Sequence, residues 1–139
     1  MTIQPFHLAI PVNDLEKSAS FYAEVLGLEQ GRRSTHWIDY NFYGHQFVLH
    51  EVKDYKTQNH FNSVDENEVP VPHFGVVLLW KDFWDLSDRL KSFNVQFQIE
   101  PNIRFEGKTG EQATLFFYDP SGNALEFKAF KNPDDIFNS

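Results

Sequence analysis

Apolar and polar positions along the chain follow one pattern, written twice. Residues 5–12, PFHLAIPV, read as a strand of β-branched and aromatic residues that ends in a turn at Asn13-Asp14. Leu15, Ala19, Tyr22 and Leu26 then recur at one face of a 3.6-residue period, which predicts a helix from Leu15 to Leu26. Asn13 with Glu16 resembles a capping box, and Gly27 supplies the stop. Three strand-like runs follow: Gly31–Ser34, the weakest, then Trp37–Tyr43 and Gln46–Val52, joined by a hairpin turn at Gly44-His45. Residues 53–72 are polar and end in prolines, and are expected to form a long linker with little regular structure.

The pattern then restarts. His73–Leu79 reads as a strand, and Asp82–Phe93 as a helix with Phe83, Leu86, Leu90 and Phe93 on one face. Val95–Ile99, Gln112–Tyr118 and Ala124–Phe130 read as strands, with turn chemistry in DPSGN at 119–123 and a loose terminus after Phe130. The expected fold is α+β: two βαβββ modules, about 5–52 and about 73–130, related by pseudo-twofold symmetry within one domain spanning 1–139.

Alternation assigns faces. Phe6, Leu8, Ile10 and Val12 share one face of the first strand, and His7 shares the other with Ala9 and Pro11. In the second repeat Phe74, Val76 and Leu78 oppose His73, Gly75 and Val77. In the last strand Glu126 lies opposite Leu125 and Phe127, a costly position for a carboxylate buried without a partner. His50 falls on the same kind of face, opposite Phe47 and Leu49. Taken singly, each is ordinarily a hydrogen-bonded structural residue. Together, His7, His73 and Glu126 form the two-histidine, one-carboxylate set that binds divalent metals with open coordination positions. His36, His45 and His60 fall in turns or polar stretches and read as surface residues.

Composition narrows the classes. With 139 residues, 41% hydrophobic and 23% charged, the chain is long and apolar enough for a real core. Aromatic residues make up 17%, 15 of them Phe, which favours a wide apolar interior or an aromatic-lined pocket. A net charge of −8 disfavours nucleic acid as a partner and mildly disfavours strongly anionic substrates. The absence of cysteine excludes disulfides, thiolate zinc sites and a cysteine nucleophile. No apolar run reaches the length of a membrane span and no signal pattern opens the chain, so a soluble, cytoplasmic protein is expected.

Three stretches carry a resemblance: HLAIPVNDLEKSASFYAEVLGL at 7–28, HFGVVL at 73–78 and FFYDPSGNALEF at 116–127. They resemble the vicinal oxygen chelate superfamily, which includes glyoxalase I, bleomycin-resistance proteins, fosfomycin-resistance enzymes and extradiol dioxygenases. The resemblance implies two βαβββ modules forming a curled mixed sheet with a central cleft, and a metal held by His7, His73 and Glu126. It implies a small substrate chelated through neighbouring oxygens, a divalent metal with Fe(II) ahead of Zn, Mn and Ni, and a homodimer. The ligand set is nearest to that of an extradiol dioxygenase. A metal-dependent isomerase or lyase of the glyoxalase type, and a metal-free ligand-sequestering protein of the bleomycin-resistance type, are the alternatives. The fourth ligand position of glyoxalase I falls on QFVLHEV, where Glu51 is on the wrong face and His50 on the right one. His50 is therefore a candidate fourth ligand or acid–base catalyst. Arg104, expected in a loop between two strands, is a candidate for binding a substrate carboxylate or enolate. Fosfomycin-type chemistry calls for positive charge, and no basic cluster is evident in the sequence.

Overall fold

The first strand of each repeat pairs, in parallel, with the last strand of its own repeat. This is the topology of a βαβββ module. The computed structural model describes residues 2–138, and the chain divides into two units: Met1–Thr57 with Asp119–Asn123, and Gln58–Tyr118 with Ala124–Ser139.

In the first unit, β1 (His7–Val12), β2 (Glu29–Arg33), β3 (Trp37–Phe42) and β4 (His45–Glu51) form a sheet of order β1-β4-β3-β2. β1 runs parallel to β4, which sets His7 opposite Gln46 and Pro11 opposite His50. Val12, Leu15, Tyr22, Ile38, Tyr40, Phe47 and Leu49 are buried. The helix α1 (Leu15–Ser20) passes into a single π-helical turn over Phe21–Val25. Its N-cap is Asp14, whose carboxylate accepts from the Lys17 amide. Asn13, expected in that role, is engaged elsewhere: its side chain accepts from the Ser121 hydroxyl and donates to the Tyr55 carbonyl. The hairpin turn lies at Tyr43-Gly44 rather than Gly44-His45, because both carry positive φ (53° and 91°), as a tight two-residue turn requires.

The DPSGN turn belongs to this unit and is more than a connection. Asp119 is 4% exposed. It accepts hydrogen bonds from the Tyr22 hydroxyl at 2.8 Å, from the Ser121 and Asn123 amides, and from the Asn123 side chain. Burial raises its carboxyl above the ordinary value, and these bonds only partly offset that.

The second unit opens with a correction. Residues 53–72, expected to lack regular structure, contain a hairpin of β5 (His60–Val64) and β6 (Asn67–Val71), turning at Asp65-Glu66 with positive φ at both. The turn pair is not a glycine-containing one, which is why the sequence pattern hid it. β7 (His73–Phe74) and β8 (Val77–Leu78) replace the single strand expected over His73–Leu79. Both pair in parallel with β11 (Ala124–Phe130), and the sheet continues through β10 (Gln112–Tyr118) to β9 (Phe97–Arg104). The interruption falls at Gly75, where a Cβ would stand 1.5 Å from the Glu126 carbonyl oxygen. The helix α2 (Trp80–Ser92) buries Phe83, Leu86 and Leu90; Phe93 is its C-cap, outside the buried face. β9 runs past Ile99, so Arg104 ends a strand rather than sitting in a loop. A short 3-10 turn follows β11 at Pro133–Phe137, where expectation had only a loose end, and Asp135 there accepts from the Gly110 amide. Among the described residues no helix is long and apolar enough to cross a membrane.

Candidate metal and substrate site

Glu126 is the hub of a polar cluster on the second sheet. It projects from β11 between buried Leu125 and Phe127, on the face those two do not use. Its side chain is 11% exposed, and its Oε1 lies 3.1 Å from His73 Nε2. Its Oε2 accepts from the Thr114 hydroxyl at 2.5 Å and lies 3.6 Å from Lys128 Nζ. Strand register assembles the group. Thr114 stands opposite Lys128 and Phe116 opposite Glu126 across β10–β11, while β7 sets His73 opposite Ala124. Directly paired residues share a face, so the four polar side chains project to one side.

His73 is oriented from behind. Its Nδ1 donates to the Pro70 carbonyl at 2.7 Å, and its ring stands edge-on to Phe116 with centroids 5.0 Å apart. A proton fixed on Nδ1 directs Nε2 at the carboxylate, the arrangement that holds a ligating imidazole in one tautomer. The hydrogen bond to Glu126 raises the His73 pKa, outweighing the opposing effect of burial. Burial pushes Glu126 up, but the bonds from His73 and Thr114 and the charge of Lys128 outweigh it and leave the carboxyl below its ordinary value.

This donor set fits a divalent ion. Two donors each about 2.1 Å from one ion and near a right angle apart are about 3.0 Å from each other. The His73–Glu126 separation is 3.1 Å. The same histidine orientation occurs at His7 in the first unit: its Nδ1 is 2.9 Å from the Gln46 side-chain oxygen, which accepts, leaving an exposed Nε2. His50 is likewise exposed, on β4, on the face opposite buried Phe47 and Leu49. Among the described residues no three His, Asp or Glu side chains meet as a metal-binding group within the chain. The structure thus brings His73 and Glu126 together.

Beside Glu126 the second unit holds an open cavity of about 190 Å³, lined among others by Thr114, Lys128, Asn102 and Arg104. Arg104 is there, but its guanidinium is already engaged by the Asp65 carboxylate, with Nε and Nη2 at 2.7 and 2.6 Å from Oδ2. Net charge concealed this wall: a chain of charge −8 still sets two cations around one cavity. Lys128, two residues along the same strand, shares the Glu126 face by alternation alone, whereas Thr114 was not singled out from the sequence. Thr114 stands between Ala113 and Leu115 in a largely apolar strand, and that was the available signal. The Pro70 carbonyl and Asp65 left none.

The chain is similar to known proteins. The family model of the glyoxalase/bleomycin resistance protein/dioxygenase superfamily matches residues 4–127. The chain is 30% identical over 125 residues to "Glutathione transferase FosA" of Serratia marcescens, covering 86% of this chain and 76% of that protein. A solved glyoxalase/bleomycin resistance protein/dioxygenase from Alicyclobacillus acidocaldarius is 32% identical with a TM-score of 0.79, covering 96% of each chain. The fosfomycin resistance protein FosX of Listeria monocytogenes shares the fold at 18% identity and a TM-score of 0.72, covering 98% of this chain and 100% of that one.

Proposed function

The chain belongs to the glyoxalase/bleomycin resistance protein/dioxygenase superfamily, and on that premise we propose that it is a divalent-metal-dependent enzyme acting on a small, oxygen-rich, anionic substrate. The observation that carries this reading is the His73–Glu126 pair, 3.1 Å apart, opening onto a cavity with Arg104 and Lys128 in its wall. His73 and Glu126 are two ligands and His7 is the third. We take the enzyme to work as a homodimer, as proteins of this superfamily typically do. The metal, when bound, supplies Lewis acidity toward two neighbouring substrate oxygens. The protein's own groups do the rest. Thr114 and Lys128 hold the Glu126 carboxylate in one orientation and keep it ionised. Lys128 and Arg104 set a positive potential where substrate charge must be held. His50, exposed on the first module, is the proposed proton carrier.

Two reactions fit, and each has an observation behind it. Opening of the epoxide C–O bond of a small phosphonate by a thiol or water, the ring oxygen taking the proton, is favoured by the 30% identity to FosA and by Arg104 and Lys128 in the cavity wall. Ring-opening oxygenation of a catechol is favoured by the two-histidine, one-carboxylate set, with Fe(II) as the metal. The experiment is to load the protein separately with Mn(II), Zn(II), Ni(II) and anaerobic Fe(II). Fosfomycin turnover with glutathione, another thiol or water is then followed by phosphorus NMR, and oxygen uptake by electrode across a catechol panel. In parallel, Glu126→Gln is expected to fold and lose most bound metal. A folded Glu126→Gln protein with full metal occupancy removes Glu126 from the site. Wild-type protein that binds none of the four metals points instead to ligand sequestration without chemistry.

A further inference from the structure

Asp65 sits at the tip of the β5–β6 hairpin, at a φ of 48°. One of its oxygens, Oδ2, takes both Nε and Nη2 of Arg104. That edge of a guanidinium matches the two oxygens of a carboxylate, one for each N–H. Here it is spent on one oxygen of a carboxylate whose side chain is 54% exposed, while Arg104 is only 25% exposed. The guanidinium also lies 4.9 Å from the centroid of the Phe105 ring, which holds it in place. The hairpin pairs only with itself among the described residues, and β5 is exposed along its length. An isolated two-stranded hairpin is marginal in water; the Asp65–Arg104 pair ties its tip to the body of the unit, and the Pro70 carbonyl, accepting from His73, ties its base. Val64, Asn67 and Val69 of the hairpin line the cavity that also contains Arg104 and Glu126.

We infer that Arg104 is the docking point for a carboxylate group of the substrate, and that Asp65 is an internal carboxylate that competes for it and ties the hairpin to its occupancy. The inference rests on the reading of this cavity as the substrate site. A substrate carboxylate takes Nε and Nη2 with two oxygens, Asp65 turns to solvent, and the hairpin loses its tie and relaxes. The exchange is easy because an ion pair with one partner this exposed is weak, worth about two- to fivefold in an equilibrium constant. Asp65 thereby sets a threshold: ligands with a carboxylate displace it, and neutral ligands of the same shape do not.

The test uses the full chain loaded with Zn(II), with benzoate as the carboxylate probe and phenol as its neutral counterpart. Binding is read by calorimetry, and the hairpin by hydrogen exchange of the 60–71 amides. Asp65→Asn keeps the shape, and Asn tolerates the left-handed backbone. It is expected to raise benzoate affinity about two- to fivefold, leave phenol unchanged and speed hairpin exchange without ligand. Benzoate is expected to speed hairpin exchange in the wild type. Arg104→Gln is expected to abolish the preference for benzoate over phenol. Unchanged benzoate affinity in Asp65→Asn, or hairpin exchange indifferent to benzoate, overturns the inference. Metal content measured on the same samples separates the two readings. Retained metal without a benzoate response defeats this inference alone, and a benzoate response in protein that holds no metal defeats the metal reading alone.

Discussion

Replacing Gly75 by alanine tests how the Glu126 site is held in place. A Cβ on residue 75 would stand 1.5 Å from the Glu126 carbonyl oxygen and 2.6 Å from its carbonyl carbon. Ordinary contact begins near 3.4 Å, so the segment between β7 and β8 must withdraw by about 2 Å. Backbone hydrogen bonds do not stretch that far. The parallel pairing of β7 and β8 with β11, including the Lys128 amide to Val76 carbonyl bond at 3.4 Å, is therefore at risk. Losing two or three such bonds at about 1 kcal/mol each costs roughly 2–3 kcal/mol. The smaller entropy of an unfolded chain with alanine returns about 0.4–1 kcal/mol. The net expectation is a loss of about 1–3 kcal/mol, read as a lower urea midpoint at unchanged slope. The same retreat carries His73 away from Glu126, so Zn(II) affinity is expected to fall at least tenfold, a change of about 1.4 kcal/mol. Gly31→Ala is the control, because its Cβ would meet the Asp39 Cβ at 3.4 Å and the Asp39 carbonyl oxygen at 3.8 Å, both ordinary contacts. A Gly75→Ala protein as stable as wild type, with its metal affinity intact, would refute the reasoning.

Further expectations concern charge and burial. The raised His73 pKa contributes stability that is full below its ordinary value of 6.5 and is lost as pH rises through the raised value. The lowered Glu126 pKa contributes stability that is full above its ordinary value of 4.5 and is lost as pH falls through the lowered value. The metal-free pair therefore stabilises most between pH 4.5 and 6.5, and a Glu126→Gln protein should fall furthest below wild type there in urea titrations. A proton on His73 Nε2 competes with metal, so metal affinity should already weaken on acidification while the pH is above 6.5; affinity unchanged down to about pH 4 counts against histidine ligation. Tyr22→Phe removes the hydroxyl that donates to buried Asp119 and is expected to cost about 1–3 kcal/mol in thermal or urea unfolding. Among the described residues the Ser18 and Ser87 hydroxyls are buried without a hydrogen-bond partner, so Ser18→Ala and Ser87→Ala should each stabilise by about 0.5–1.5 kcal/mol; a loss in both shows that the hydroxyls are satisfied.

Local periodicity determined much of this protein. Apolar spacing at Leu15, Ala19 and Tyr22, and at Phe83, Leu86 and Leu90, marked both helices, because a helix face must repeat every three to four residues to be buried. Strand alternation put His73 and Glu126 on the face away from the bulky residues, where they are found. Where the reading failed, a long-range partner had overridden a local preference. Asn13 lost its capping role to Asp14 because Ser121, far along the chain, claimed its side chain. The β5–β6 hairpin formed through a turn with no glycine. Gly75 reads as an ordinary small residue until the Glu126 carbonyl lies against it. Thr114 joined the site through the register of β10 on β11, which no single stretch of sequence encodes. Sequence specifies which face a side chain takes, since that depends on its immediate neighbours. Which groups meet there depends on how distant strands align, and only the folded chain decides it.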